Sequence, residues 1–191
     1  NNKLFSIVKN FELIDYLYSK LIINRLCKFK KGSIKKDIIK KNYDLFFNCD
    51  FSNLISKKFF QKQIKKNYYS SAFTSVIKHK KIENNIAVQI FTSKGPFAFL
   101  PISRNETSIV YSVKGKERIN LKDFIKKYNK NYEITSFGKV KSFNLKSSNL
   151  RKYYYKNILA FGDLLHKLHP LAGQGFNMTL RDIREIMKLI N

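Results

Sequence analysis

The sequence predicts a mixed α/β (α+β) fold in which an antiparallel sheet lies between two segments that carry helices. Several short strand-like stretches follow one another between residues 68 and 113. A helical pattern precedes them at residues 11–25, and another begins near residue 173 and runs to the end of the chain. Strands grouped together and flanked by helical segments are typical of this class.

The composition supports a folded domain with a sizeable core. The chain has 191 residues, of which 43% are hydrophobic and 15% aromatic. Disordered chains are poor in such residues, so the composition is that of a folded protein. A chain of this length can form one large domain or one and a half smaller ones.

The N-terminal third predicts one helix and one strand. Leu13, Leu17 and Leu21 recur at helical spacing within residues 11–25, and Asn10 is positioned to cap that helix. Residues 43–49 form a short aromatic run that ends at Asp50, which suits a buried strand. Residues 28–41 are so rich in lysine that we expect loops or an exposed hairpin there.

The remaining elements follow from alternation and turn residues. Strands are predicted at residues 69–78, 86–92, 97–102, 107–113, 134–145 and 153–161. Gly95-Pro96 supplies one of the turns between them. Asn120 is expected to cap a short helix at residues 121–128, and the last helix should begin at Gly173 or Gln174.

The net charge of +25 raises nucleic acid or an anionic lipid surface as a partner. The charge comes from 32 Lys and only 6 Arg, spread along the whole chain. A nucleic-acid site more often concentrates arginine, which makes bidentate contacts with bases and phosphates. We therefore expect no nucleic acid, and a basic RNA-binding or anionic-lipid-binding protein stays as an alternative.

Cysteine usage and hydropathy bear on location. Cys27 and Cys49 are too few for a disulfide framework and form no CxxC pair. No apolar run reaches the length of a membrane-spanning helix, and the first residues lack a signal-peptide pattern. We expect a cytoplasmic protein, with peripheral association with the inner membrane as an alternative that diffuse lysine charge would favour.

One segment carries most of the chemistry. In residues 161–182 (FGDLLHKLHPLAGQGFNMTLRD) a strand ends in Gly162-Asp163, which places a carboxylate at the carboxyl edge of a sheet, where ligands of α/β folds bind. Gly173 and Gly175 allow close backbone approach where a helix begins, and that helix start offers unpaired N–H groups and a positive dipole end.

The same segment resembles the second flavin-binding motif of the para-hydroxybenzoate hydroxylase class, and within it the ring hydroxylases of ubiquinone biosynthesis. The matching residues are Gly162, Asp163, His166, Pro170, Gly173, Gly175, Asn177 and Asp182. Thr179 departs from the pattern, which usually has Gly there. The resemblance implies FAD as cofactor, with Asp163 on the ribityl chain and Pro170, Gly173, Gln174, Gly175 and Asn177 near the flavin ring.

Two further stretches resemble the same family. Residues 87–103 (AVQIFTSKGPFAFLPIS) look like its GPLALLPL-type strand pair, which implies that Phe97, Phe99 and Pro101 face substrate or core according to register. Residues 48–57 resemble the GADGANSxLR-type motif through Asp50 and Asn53. Asn48 and Phe51 replace its two glycines, and Phe51 should crowd a dinucleotide.

The family's GxGxxG motif does not occur in these 191 residues. The likeness begins near Ile7, so we expect a truncated homologue that lacks the ADP-binding unit. The predicted organisation is a partial, Rossmann-like FAD-binding domain at residues 1–66, an antiparallel substrate-domain sheet at 67–150, and a return to the FAD-binding domain at 151–191.

The activity that the resemblance implies is FAD-dependent monooxygenation of an aromatic, polyprenyl-phenol ring in ubiquinone biosynthesis. Its partners would be O2, NAD(P)H or another electron donor, the polyprenylated substrate, and a membrane or ubiquinone-pathway complex. No side chain stands out as a catalytic acid or base, and His166 and His169 lack a third ligand for a metal site. A homologue without catalytic activity is the second alternative.

Overall fold

The computed structural model describes residues 6–32, 43–115, 119–167 and 174–190. The chain forms two compact units. We call Asn1–Lys30 with Tyr69–Asn144 the sheet unit, and Lys31–Tyr68 with Leu145–Asn191 the parallel-strand unit. The chain passes between the units at three points, two of which fall inside strands, β2 and β7 below.

The sheet unit is built on antiparallel strands. Strand β2 (Gln63–His79) pairs with β5 (Glu106–Lys114), which pairs with β4 (Gly95–Ser103), which pairs with β3 (Val88–Thr92). Strand β6 (Ile134–Phe137) pairs with the end of β2. This arrangement confirms the predicted mixed class with an antiparallel sheet.

Alternation along the strands sets the core of the sheet unit. One face of the sheet carries the buried side chains Ile77, Phe97, Phe99, Ile109, Tyr111 and Val113. Helix α3 (Leu121–Tyr128) adds Leu121 and Ile125 to this cluster. Asn120 caps the helix as predicted, because its side chain accepts a hydrogen bond from the N–H of Lys122.

The parallel-strand unit contains a short sheet in which β1 (Phe46–Asn48) lies parallel to β9 (Ile158–Ala160), with β8 (Tyr154–Tyr155) antiparallel to β9. Strand β7 (Lys141–Leu150) pairs through its C-terminal part with β10 (His166–Lys167). Helix α2 (Leu54–Phe59) and the 3-10 turn Gly162–Leu164 complete a core of Ile55, Phe60, Leu150, Ile158, Ala160 and Leu164. Helix α4 spans Gln174–Ile190.

Most predicted elements are present, but several differ. Predicted strand 153–161 is two short strands, β8 and β9, because the chain turns between them at Lys156, which has φ +53°. Helix α1 (Asn10–Ile22) begins one residue earlier than predicted, so Lys9 and not Asn10 occupies the N-cap position. Helix α2 was not predicted, because a helix of six residues is too short for its helical periodicity to be visible in the sequence. Predicted strand 134–145 is two strands, since the chain turns at Gly138, where a Cβ would lie 2.6 Å from the Val76 carbonyl oxygen.

No helix among the described residues combines the length and the apolar character that crossing a bilayer requires.

Candidate functional site

The candidate site lies at the carboxyl edge of the two parallel strands. Asn48 and Ala160 are register partners at the ends of β1 and β9, and the N–H of Phe161 donates to the carbonyl of Asn48 at 2.9 Å. The residues that follow, Cys49-Asp50 on one strand and Gly162-Asp163 on the other, therefore leave the sheet at the same edge. Ligands of open α/β sheets bind at this edge.

The 3-10 turn presents Asp163 to solvent. Gly162 has φ +57°, a left-handed conformation that glycine adopts without strain, and its carbonyl accepts the N–H of Leu165 at 3.0 Å. Leu164 is buried in the core of the unit and holds the turn in place. The Asp163 side chain between them is exposed. A carboxylate so placed can accept hydrogen bonds from the hydroxyls of a ligand.

Two neighbouring side chains have shifted pKa values that describe the local electrostatics. Burial raises the pKa of the Cys49 thiol, and the negative charge of Asp163 acts in the same direction. The pKa of Asp50 is lowered because its carboxylate accepts hydrogen bonds from the backbone N–H and then the hydroxyl of Ser52, with the charge of Lys57 adding to the effect. Asp50 is thus fixed in a turn beside the edge.

Helix α4 contacts the 3-10 turn Gly162–Leu164, and its first residues include exposed Gln174 and Asn177. A Cβ added at Gly175 would meet no atom of the described residues within 4 Å, so packing against them does not require glycine there. A ligand that approaches the helix start would require it. Predicted site residues Pro170 and Gly173 lie outside the described residues.

Thr179 stands where the family pattern usually has glycine, and its side chain makes a hydrogen bond within the protein. Its hydroxyl donates to the carbonyl of Gly175 at 3.2 Å, one turn earlier in α4. This bond is made within the helix, so it leaves the surface around Gly175 open.

Asn48 stands where the family motif has glycine, and the structure explains the exchange. Its side chain is 2% exposed. Its amide donates to the hydroxyl of Ser56 at 2.8 Å and its carbonyl accepts from the amide of Asn53 at 2.6 Å. Ser56 in turn donates to the backbone carbonyl of Asp50. Asn48 is a positioning residue that sequence reasoning missed, because only the fold brings it against α2.

Asn48→Ala is expected to lower the free energy of unfolding by about 1–3 kcal/mol, because it leaves the buried groups of Ser56 and Asn53 without this partner. Urea unfolding followed by circular dichroism measures the change. Ser52→Ala, which removes the hydroxyl hydrogen bond to Asp50 at the exposed end of the same loop and keeps the backbone one, is the control and should have a much smaller effect. Equal effects of the two changes would contradict a central role for Asn48.

The predicted substrate-facing residues lie in the sheet unit. Phe97 and Phe99 point into its core, where the Phe97 ring lies 5.2 Å from that of Tyr111. Phe99 also lines a cavity of about 180 Å³ whose other walls include Tyr128 and Tyr132. Pro101 is half-buried further along β4.

His79 is a buried residue of the sheet unit. It is 3% exposed, and its Nε2 lies 3.0 Å from the hydroxyl of Thr107. The Asn84 amide donates to the same hydroxyl, and Tyr132 donates to Asn84. Among the described residues, no group of three or more metal-ligating side chains lies together.

No protein-family model matches the chain. Among curated proteins, it is 28% identical over 126 residues to the ubiquinone hydroxylase UbiL of Rhodospirillum rubrum, covering 61% of this chain and 29% of that protein. It is 29% identical over 112 residues to the 3-demethoxyubiquinol 3-hydroxylase of Escherichia coli, covering 53% and 28%. A match to the ubiquinone biosynthesis monooxygenase COQ6 of Danio rerio has 24% identity over 172 residues and covers 67% and 36%.

Solved structures share the fold. The flavin-dependent halogenase BrvH from Brevundimonas sp. BAL3 has a TM-score of 0.58 and 12% identity, covering 78% of this chain and 31% of that one. The flavin-dependent halogenase Xcc4156 from Xanthomonas campestris has a TM-score of 0.55 and 12% identity, covering 76% and 30%. The matches to curated proteins span 28% to 36% of their lengths. Together these comparisons confirm the resemblance inferred from residues 161–182.

Proposed function

We propose that this chain, which resembles the FAD-dependent ring hydroxylases of ubiquinone biosynthesis, provides the ribityl and flavin-ring half of an FAD site in an aromatic-ring monooxygenase. One observation carries the proposal. Asp163 leaves the carboxyl edge of β9 in a turn that contacts helix α4, and no described residue packs where a side chain at Gly175 would lie. This arrangement supports a flavin site formed by the strand ends and the helix.

Each residue has a distinct role in this proposal. The exposed Asp163 carboxylate accepts hydrogen bonds from ribityl hydroxyls. The first N–H groups of α4 and its dipole stabilise negative charge on the flavin ring, and the missing side chain at Gly175 lets the ring approach them. Gln174 and Asn177 flank that approach, while Gly162 gives the turn its conformation. Asp50, held by Ser52, faces the same edge.

Bound FAD would supply the redox chemistry that activates O2 for insertion into a phenolic ring. The chain's own residues bind and orient the cofactor and exclude water. The names of the relatives support a ubiquinone precursor, a prenylated phenol, as the substrate class, and NAD(P)H or another donor as the source of electrons. We place the ring against β4, where Phe99 borders a cavity and the Phe97 ring packs against that of Phe99.

A prenylated substrate partitions into membranes, so we also propose peripheral association with an anionic membrane surface. Exposed lysines distributed along the chain would favour it at about 1 kcal/mol for each well-placed charge. Pelleting with vesicles that contain anionic lipid, compared with neutral vesicles, would measure this association.

The 191-residue chain is expected to bind FAD with a dissociation constant above about 1 μM, because its sequence lacks the GxGxxG helix start that binds the diphosphate. The contacts that remain, at Asp163 and at the start of α4, contribute about 1–3 kcal/mol each. Quenching of flavin fluorescence measures the affinity. Saturation at nanomolar protein would contradict the expectation.

Asp163→Ala should weaken FAD binding by about tenfold, because it removes a charged acceptor for ribityl hydroxyls. Asp44→Ala is a matched control, since Asp44 is an exposed carboxylate that precedes the opposite end of strand β1. The same loss of affinity in both variants would point to net charge and not to a ribityl contact. Absence of any flavin binding would favour the alternative of a non-catalytic homologue.

A further inference from the structure

Strand β3 (Val88–Thr92) forms an edge of the sheet unit. It is the last strand in the order of the sheet, and β4 is its one strand partner among the described residues. The other side of β3 therefore presents backbone N–H and C=O groups that no described strand pairs. Such an edge can accept a strand from another chain, because the groups that form a sheet are available there.

The edge carries none of the charges that normally prevent such pairing. Soluble proteins protect edge strands with lysine, proline or a bulge. Residues 84–93 contain no Lys, Arg, Asp, Glu or His, although 27% of the chain is charged. No proline lies in β3, and its register with β4 is continuous from Val88 to Thr92. The edge is thus regular and neutral, as strand pairing requires.

Strand β3 also exposes an aromatic ring. Val88 and Ile90 pack against the core of the sheet unit. Alternation places Gln89 and Phe91 on the opposite face of the sheet, where the Phe91 side chain is 80% exposed. A neighbouring strand would cover part of this ring, and cross-strand contacts of aromatic side chains stabilise a strand pair.

Charge favours a second copy of this chain as the strand that pairs here. The chain has a net charge of +25, so most contacts between two copies would bring lysines together. Pairing of β3 with β3 joins two uncharged segments, and the repulsion between copies is smallest at such a contact. An anionic lipid surface or a nucleic acid, in contrast, would find no cation within β3 to contact.

The symmetry of an antiparallel pair determines which residues meet. If all five residues of β3 pair, Ile90 lies opposite Ile90 of the second copy, and Gln89 lies opposite Phe91. Residues that lie opposite each other have Cβ atoms about 4.5–5.5 Å apart. Alternation continues across the pair, so both Ile90 side chains remain on the core face and both Phe91 rings on the other face.

We propose that β3 is a pairing edge through which two copies of this chain form one continuous antiparallel sheet with twofold symmetry. The proposal goes beyond the flavin site and does not depend on it, since β3 contributes no residue to that site.

Sedimentation velocity of the 191-residue chain over a wide range of protein concentration, at physiological salt, tests the proposal. We expect an equilibrium between monomer and dimer. Gln89→Lys with Phe91→Lys should raise the dissociation constant of the dimer by about tenfold or more, because each new lysine lies opposite a lysine of the second copy. Both positions are exposed, so the fold should be kept.

The matched control is Tyr16→Lys with Ile22→Lys. It adds the same two charges per copy at exposed positions of helix α1, in the same unit. The expected change in the dissociation constant is less than about threefold, because salt screens charges that are far from the interface.

A charge exchange tests the strand pairing itself. Gln89→Glu with Phe91→Glu should also weaken self-association, because it places like charges opposite each other. An equimolar mixture of the lysine and glutamate variants should form a dimer of one copy of each, because opposite charges then meet across the strands. A variant that fails to fold could not give this restoration, and circular dichroism checks the fold of each variant.

Each of four results would overturn the proposal. A monomer at every concentration would leave the edge to a strand of a different protein or to none. Equal loss of the dimer in the β3 and control variants would show an effect of net charge alone. Loss in the control variant only would place the interface on helix α1. Failure of the folded lysine and glutamate variants to associate would show that Gln89 and Phe91 do not meet across an antiparallel pair.

Discussion

Gly95→Ala is expected to lower the free energy of unfolding by about 3 kcal/mol or more. Gly95 has φ +140°, a conformation that residues with a side chain rarely adopt. An alanine Cβ at this position would also lie 2.2 Å from the backbone carbonyl oxygen of Ser112. Ser112 belongs to β5, which is paired on both sides by β2 and β4, so its backbone cannot move away without breaking the sheet.

The control for Gly95 is Gly115→Ala in the same unit. Gly115 also has a positive φ, +92°, but a Cβ there would meet no atom within 4 Å in the described part of the chain. It should therefore cost only backbone strain, about 1 kcal/mol. Urea unfolding monitored by circular dichroism gives both values. Losses of similar size would show that the Ser112 contact is relieved by a small backbone shift.

Gly175→Val is expected to weaken FAD binding by about a hundredfold, and Gly175→Ala by about tenfold, with little loss of stability in either. The side chain would project into space where none of the residues that the structure describes has an atom within 4 Å, so we expect the folded chain to accept it. The flavin ring would have to move away from the first N–H groups of α4 and lose their stabilisation. Alanine in a helix even favours folding over glycine.

Flavin-fluorescence titration and thermal unfolding of the same samples test this separation of binding from stability. Arg184→Ala, an exposed change later in α4, is the control and should alter neither. Unchanged FAD affinity in Gly175→Val would place the flavin ring away from the helix start and would remove the central support for the proposed function.

Much of the site could be predicted from the sequence because it is local. The spacing from Gly162 and Asp163 to Gly175 and Asn177 predicts strand, turn and helix in one continuous segment, and these elements are formed wherever the structure describes them. Helix α3 with its Asn120 cap has the same local origin. In each case the signal is a spacing or a capping residue, which requires no knowledge of distant parts of the chain.

Register within the sheet could not be predicted in the same way. Alternation along β4 puts the side chains of Phe97 and Phe99 on one face of the sheet and those of their neighbours on the other. It does not show which of the two faces is buried. Packing of helix α3 on one face decides it, and both rings belong to the core. His79 is buried for a related reason, since Thr107 in a neighbouring strand and the Tyr132 ring enclose it.

Local patterns in the sequence predict the elements, the flavin-like motif and the excess of positive charge. Folding brings together residues that are distant in the chain, as it does Asn48 with Ser56 and the end of β1 with the end of β9. The two kinds of feature differ in range. Helix periodicity, caps and turns depend on residues a few positions apart, whereas burial and strand register depend on parts of the chain that only folding brings together.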